Sequence, residues 1–326
     1  MLNLLTLTAV LVGGLIFLPV LAWPALAEGQ VKVHWTRSQR AAANLPFSIE
    51  LYLTQDSVHG RPFRAAYVIA DPDDLKLDLT VEAGTKTPAE YFAGLTPSPF
   101  VVVNGGEGLL LREGKLLTHA KIALRSPGDS VYHYVTPSAI GITVTRKVDV
   151  GWVFTDSTRD YPLVMMKGPS DPRRSKGPHS NPGILEIHSE NVNSEIGAQT
   201  MHWPVETALG GGPTIVKRGQ VFISSREEVT FYGHEDELMA RTAMGYTRDN
   251  KLIILVIESG HPGQSTGATL LEEASIMHDL GCWEALNMGG GPNTCLLVNG
   301  QSILRPDTPD GAERAPGVVF VIKSHL

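Results

Sequence analysis

A motif that recurs three times limits what this chain can become. Asn104-Gly105-Gly106 precedes the run Leu109–Leu117, Gly210-Gly211-Gly212 precedes Thr214–Phe222, and Gly289-Gly290-Gly291 precedes Cys295–Ile303. Each glycine cluster leads into an apolar segment that is broken by a short turn and then resumed, which is the pattern of a β-hairpin. Arg218-Gly219 and Asn299-Gly300 are turn dipeptides, and Asn-Gly is among the strongest hairpin signals because both central residues must take positive φ. The glycines admit two readings. Their bare backbone can close on a ligand and aim N–H groups at an anion, or it can simply let strands cross tightly.

Around these units, short β-branched runs alternate with turn signals: Ala66–Ala70, Leu75–Val81, Phe100–Val103, Ile140–Val144, Leu163–Met166, Leu252–Ile257 and Val318–Ile322. Two helix starts are marked by capping boxes, Thr87-Pro88 with Glu90 and Thr269 with Glu272. The second helix carries Leu270, Leu271, Ala274, Met277 and Leu280 at helical spacing, and Gly281 suits its end. Pro169–Pro182 reads as an exposed loop. The expectation is an α/β fold, with α+β as the variant: one compact mixed-sheet domain whose glycine-rich loops and hairpins surround a single cleft.

With 27 basic and 34 acidic residues the net charge is −7, which argues against a nucleic-acid partner bound by broad phosphate neutralisation. Residues 1–27 lack charge, and an apolar stretch from Leu7 to Trp23 leads to Ala25-Leu26-Ala27. That reads as a signal peptide cleaved after Ala27, with a retained anchor as the alternative. The expected product is exported, periplasmic or secreted, with no membrane insertion after cleavage. The two cysteines, Cys282 and Cys295, either pair or remain separate buried thiols. No HExxH, Walker or dinucleotide motif occurs, and the histidines show no metal-ligand spacing, so no metal is expected and any cofactor stays open.

Glu258 ends the apolar run Leu252–Ile257 and is a candidate acid or base where pockets open at strand ends; the alternative is a surface glutamate. His261 is a second proton carrier or an exposed residue of the same turn. Gly263-Gln264-Ser265-Thr266-Gly267 matches the nucleophile-elbow pattern, although the loop follows its strand loosely, so Ser265 is a nucleophile or a substrate-binding hydroxyl. Arg241-Thr242 and Arg314 offer guanidinium groups suited to phosphate, or are solvated.

The ordered set Asn104-Gly105-Gly106, Ala208-Leu209-Gly210-Gly211-Gly212-Pro213, Arg241-Thr242-Ala243-Met244-Gly245, Thr266-Gly267-Ala268-Thr269-Leu270 and Ala285-Leu286-Asn287-Met288-Gly289-Gly290-Gly291 resembles the phosphodiester glycosidase family from about residue 64 to the end. The resemblance implies residues 28–63 as an N-terminal extension, 64–326 as the glycosidase-like domain, and hydrolysis of a sugar-1-phosphodiester. It implies Glu258, Arg241 and Asn104 as catalytic residues. Asn287 and the glycine clusters, with Gly105, Gly106, Gly211, Gly212, Gly289, Gly290 and Gly291, are the implied carbohydrate- or phosphoglycan-binding residues, to which the residue reading adds Thr242, Ser265 and Arg314. The chain departs from the family pattern in three places. Met288 and Pro292 stand where many relatives carry Asp and Ser, Glu107-Gly108 stand where relatives carry aromatics, and Glu258 replaces Asp. These departures keep a non-catalytic glycan-binding protein in view, with a serine hydrolase using Ser265 behind it.

Overall fold

The Leu252–Ile257 strand has six apolar residues in a row, and all six are buried. Because side chains alternate along a strand, Leu252, Ile254 and Val256 join one core while Ile253, Leu255 and Ile257 join another. The computed structural model describes residues 31–41, 43–120, 122–124, 131–166, 184–188, 192–231 and 233–325. The expected signal peptide and the Pro169–Pro182 loop lie outside the described residues.

This strand sits inside an eight-stranded sheet ordered Thr36–Arg37, Ile49–Val58, Arg61–Ala70, Leu252–Ile257, Arg241–Thr247, Cys282–Gly290, Thr214–Lys217, Gln220–Val221. A five-stranded sheet runs Gln301–Ser302, Leu296–Val298, Val101–Asn104, Val318–Ser324, Leu77–Ala83. A seven-stranded sheet runs Thr200–His202, Leu163–Met165, Val148–Phe154, Ser138–Thr143, Val205–Gly210, Leu110–Arg112, Lys115–Thr118. These three sheets enclose one core, to which they contribute Val68 and Ile254, Val103 and Phe320, and Ile140 and Leu209 respectively. The outer face of the eight-stranded sheet is covered by the helix Leu270–Asp279, through Leu270, Ala274 and Met277.

The α/β and α+β expectations are overturned, and so is the mixed sheet. Strand makes up 44% against 10% helix, and every described pairing is antiparallel, so the fold is mainly β. The reason lies in the Leu252–Ile257 run. A strand apolar on both faces is characteristic of parallel sheets wrapped by helices, yet the same burial arises when another sheet covers one face and a single helix the other. Sequence periodicity reports burial, not what supplies it.

Local signals fare better. The three hairpins form, with Glu113-Gly114, Arg218-Gly219 and Asn299-Gly300 at their turns, each residue at positive φ between 49° and 75°. Both capping boxes close, and Gly281, at φ 85°, ends the Leu270–Asp279 helix. On that helix Leu271 is exposed, whereas Glu272 and Glu273 are buried. The segment before residue 64 supplies Ile49–Val58, which pairs along its full length with Arg61–Ala70.

Candidate functional site

Strand register gathers the motif residues at one end of the packed sheets. Arg241 pairs with Ile257 on one side and Gly290 on the other, Ile257 pairs with Ala65, and Asn104 pairs with Val319 in the neighbouring sheet. The buried Asn104 Oδ1 accepts from the Thr242 hydroxyl at 2.7 Å and the Cys295 N–H at 3.1 Å, tying the five-stranded sheet to the eight-stranded one. Asn287 Nδ2 donates to the Gly212 carbonyl at 2.9 Å, and the Gly212 N–H donates back to the Asn287 carbonyl at 2.7 Å.

The two readings of the glycines divide by position. A Cβ on Gly106 would collide with the Gly210 carbonyl, and one on Gly290 with the Ala240 carbonyl. At Gly211 it would stand 2.8 Å from the Asn287 carbonyl, at Gly105 2.9 Å from Val318 Cγ1, and at Gly212 2.6 Å from Glu228 Oε2. These glycines let strand ends interlock. Gly289 and Gly291 differ: nothing lies within 4 Å of where a Cβ would be, although both, like Gly212, have positive φ.

Glu258 is not a surface residue. Its side chain is fully enclosed, with Oε1 3.4 Å from the Arg64 guanidinium and Oε2 accepting the Arg305 N–H at 3.0 Å. Arg64 remains about a quarter exposed, so this pair reaches solvent through the arginine. The Ser265 hydroxyl donates to the Glu258 backbone carbonyl at 2.6 Å and accepts the Arg64 N–H at 3.2 Å, clipping the loop to the strand. His261 is half-buried, and its backbone is bonded to that of Ser265.

Arg241 is wholly buried. Its guanidinium donates to the Ala268 carbonyl at 2.7 Å and the Glu237 carbonyl at 3.0 Å, and its Cζ lies 5.7 Å from the Phe231 ring centroid. Burial pulls this guanidinium below its usual range, while Glu273, Glu237 and Glu272 pull it back. Beneath it, burial pushes the enclosed Glu273 carboxyl up to about 8, opposed by Arg241. Arg241 Nη1, Asn287 Oδ1 and Thr294 Oγ1 are buried at this end without a hydrogen-bond partner, as are both Glu273 oxygens. Unpaired buried polar atoms cost roughly 1–3 kcal/mol each, so such groups call for a functional reason. Arg314 is exposed and paired with Asp310 at 3.0 Å. Cys282 and Cys295 are separate buried thiols; burial raises both, Cys295 to about 12.

Sequence reasoning did not single out Arg64, Arg305, Glu228 or Glu273. Glu228 accepts from Ser138, Trp152, Thr214 and Ser224 behind Gly212, yet in sequence it is one of two adjacent acids that read as surface charge. Only Glu273 carried a signal, because it lies three residues after Leu270 and four before Met277, on the apolar stripe. Met288 is buried in the central core, and its Sδ would lie 2.9 Å from a Cβ on Gly211. Among the described residues no three His, Cys, Asp or Glu side chains converge as a metal site, and no helix is long and apolar enough to cross a membrane.

The fold and this end together define a mainly-β protein whose glycine-rich strand termini interlock around buried amide, hydroxyl and guanidinium groups. The chain matches the phosphodiester glycosidase family over residues 144–323, more than half its length, and belongs to that family, whose members are hydrolases of glycan phosphodiester linkages. Among solved structures it is similar to the zebrafish N-acetylglucosamine-1-phosphodiester alpha-N-acetylglucosaminidase catalytic domain auto-inhibited by its pro-peptide. That match has 16% identity and TM-score 0.55, covering 92% of this chain and 90% of that one. A hypothetical protein from Synechocystis matches at 15% identity and TM-score 0.52, over 86% of this chain; the chain spans 63% of that protein's length. A presumed exported protein from Burkholderia pseudomallei matches at 13% identity and TM-score 0.54, over 83% and 75% of the two chains. At these identities the likeness is one of fold. No curated protein matches.

Proposed function

We propose that the chain is an exported hydrolase that cleaves a sugar-1-phosphodiester or related anionic glycan linkage at the glycine-rich end. The observation that carries this reading is the enclosed Glu258 carboxylate held by the part-exposed Arg64 guanidinium at the strand end. Arg64, the exposed member, meets the phosphate oxygens, since guanidinium presents paired N–H donors to them. Glu258 acts as the base on the attacking water. The water oxygen ends on the sugar carbon, the bond from that carbon to the phosphate oxygen breaks, and the phosphate departs as a monoester. Asn104 and Thr242 fix the strand termini, Arg241 braces the 237–268 loops, and the open backbone at Gly289 and Gly291 admits the sugar. Export is supported by the uncharged, apolar residues 1–27, which end in Ala-Leu-Ala.

Purified protein offered N-acetylglucosamine-1-phosphodiesters should release free sugar, and Glu258→Gln and Arg64→Ala should each stop that release. Unchanged activity in both variants would remove the site. The complete enclosure of the Glu258 side chain favours a second reading, a glycan-binding protein without turnover. Glycan binding with no sugar released would select it.

A further inference from the structure

The opposite end of the eight-stranded sheet holds a second place of recognition. There the turn after the Arg241–Thr247 strand and the start of the Cys282–Gly290 strand enclose a hollow of about 440 Å³. A neighbouring hollow of about 340 Å³ shares Thr247, Arg248 and Asp249 with it. The Arg248 guanidinium lies over the Trp283 indole, Cζ 3.9 Å from the ring centroid. Gly219 allows the neighbouring hairpin to press against the same ring, 3.2 Å from a Cβ position to Trp283 Cε3, and its N–H is bonded to the Trp283 carbonyl at 2.7 Å.

His278 and Asp249 also line the larger hollow, and Lys147 lines the neighbouring one. Asp249 accepts the Thr247 hydroxyl at 2.6 Å, and Lys147 pairs with Asp73 at 3.0 Å. Arg248, by contrast, makes no hydrogen bond or ion pair among the described residues, while its stacking on Trp283 fixes the plane in which its donors point. A guanidinium preordered in this way loses little freedom when a bidentate oxyanion docks on its edge. The hollow beside it has the volume of a small-ligand site, and Trp283 lines it with apolar surface.

We infer that Arg248 and Trp283 form a second binding site for an anionic sugar unit, bearing phosphate or carboxylate, remote from the glycine-rich end. The sugar part of this assignment rests on the glycan reading above; the anion part rests on Arg248. The test is titration of the full chain with N-acetylglucosamine 1-phosphate, glucuronate and neutral N-acetylglucosamine. The readout is the Trp283 indole N–H resonance, assigned by its absence in Trp283→Phe. The two anionic sugars should shift this resonance, and the neutral sugar should not. Arg248→Ala should weaken the anionic titrations at least tenfold, and Arg248→Lys should weaken them less. A response to only one of the anions identifies which anion the site takes. An unshifted indole resonance, or equal titration of wild type and Arg248→Ala, overturns the inference. Because the readout does not require turnover, a protein that binds here but releases no sugar would refute the hydrolase reading alone.

Discussion

Two arginines seven residues apart on one strand and its turn have opposite fates. Arg241 opens the strand and is sealed in, donating to the backbone carbonyls of Ala268 and Glu237. Arg248 follows the strand, is exposed, and rests on an indole with its donors free. At about 3.3 Å per residue the two lie roughly 23 Å apart, so they serve separate ends of the sheet. At the first end, backbone packs against backbone except at Gly289 and Gly291, and the polar groups hold strand termini together. At the second, two hairpin turns part around a hollow. The comparison teaches that residue type names a capability, while packing decides whether the capability faces the protein or a ligand.

The sharpest break in this comparison would come from Glu258→Gln, expected to reduce sugar release about 10²–10⁴-fold, the usual scale of a lost acid or base. Arg248→Ala should leave turnover of a small substrate unaltered in the same assay. Stability comes next. Met288→Asp would place a carboxylate in the central core beside Gly211 and should cost about 3–5 kcal/mol, read as a lower urea midpoint. Were Met288→Asp instead to restore or raise activity at no cost in stability, the glycine-rich end would have to be more open than its packing indicates.

A third test uses pH. The Glu273 carboxyl is raised from 4.5 to about 8 in the folded protein, so the folded state holds a proton that the unfolded state has released between those values. The associated stability is complete below about pH 4.5 and is lost as pH rises through about 8. Thermal melts across this window should show that decline in wild type and a flatter profile in Glu273→Gln. An identical slope in both would mean that Glu273 is not the group responsible. The smallest expected effect is on the melting temperature of Arg248→Ala, with a stability change within about 0.5 kcal/mol, because an exposed arginine without hydrogen bonds carries little of the fold.

What the sequence disclosed follows the range of the forces involved. Asn299-Gly300 and Arg218-Gly219 specify their turns within two residues, and Thr87 with Glu90, like Thr269 with Glu272, close their caps within one helical turn; all were legible. The burial of Leu252–Ile257 was legible too, but not the sheets that bury it, because nothing within six residues encodes a partner more than a hundred positions away. The same limit applies to the site. Glu258 stood out at its strand end, whereas Arg64, which pairs with it across 194 positions, carried no local mark. On the Leu270–Asp279 helix, spacing outweighed residue type: Leu271 is exposed, whereas Glu273, on the apolar stripe, is enclosed.

The Leu252–Ile257 strand also acts as a ruler. Its alternate side chains belong to two different cores, so deleting one residue would send each into the wrong core. Insertions and deletions are therefore confined to the loops at either extremity, and the spacing between the two ends is a fixed length that any polymer engaging both must match.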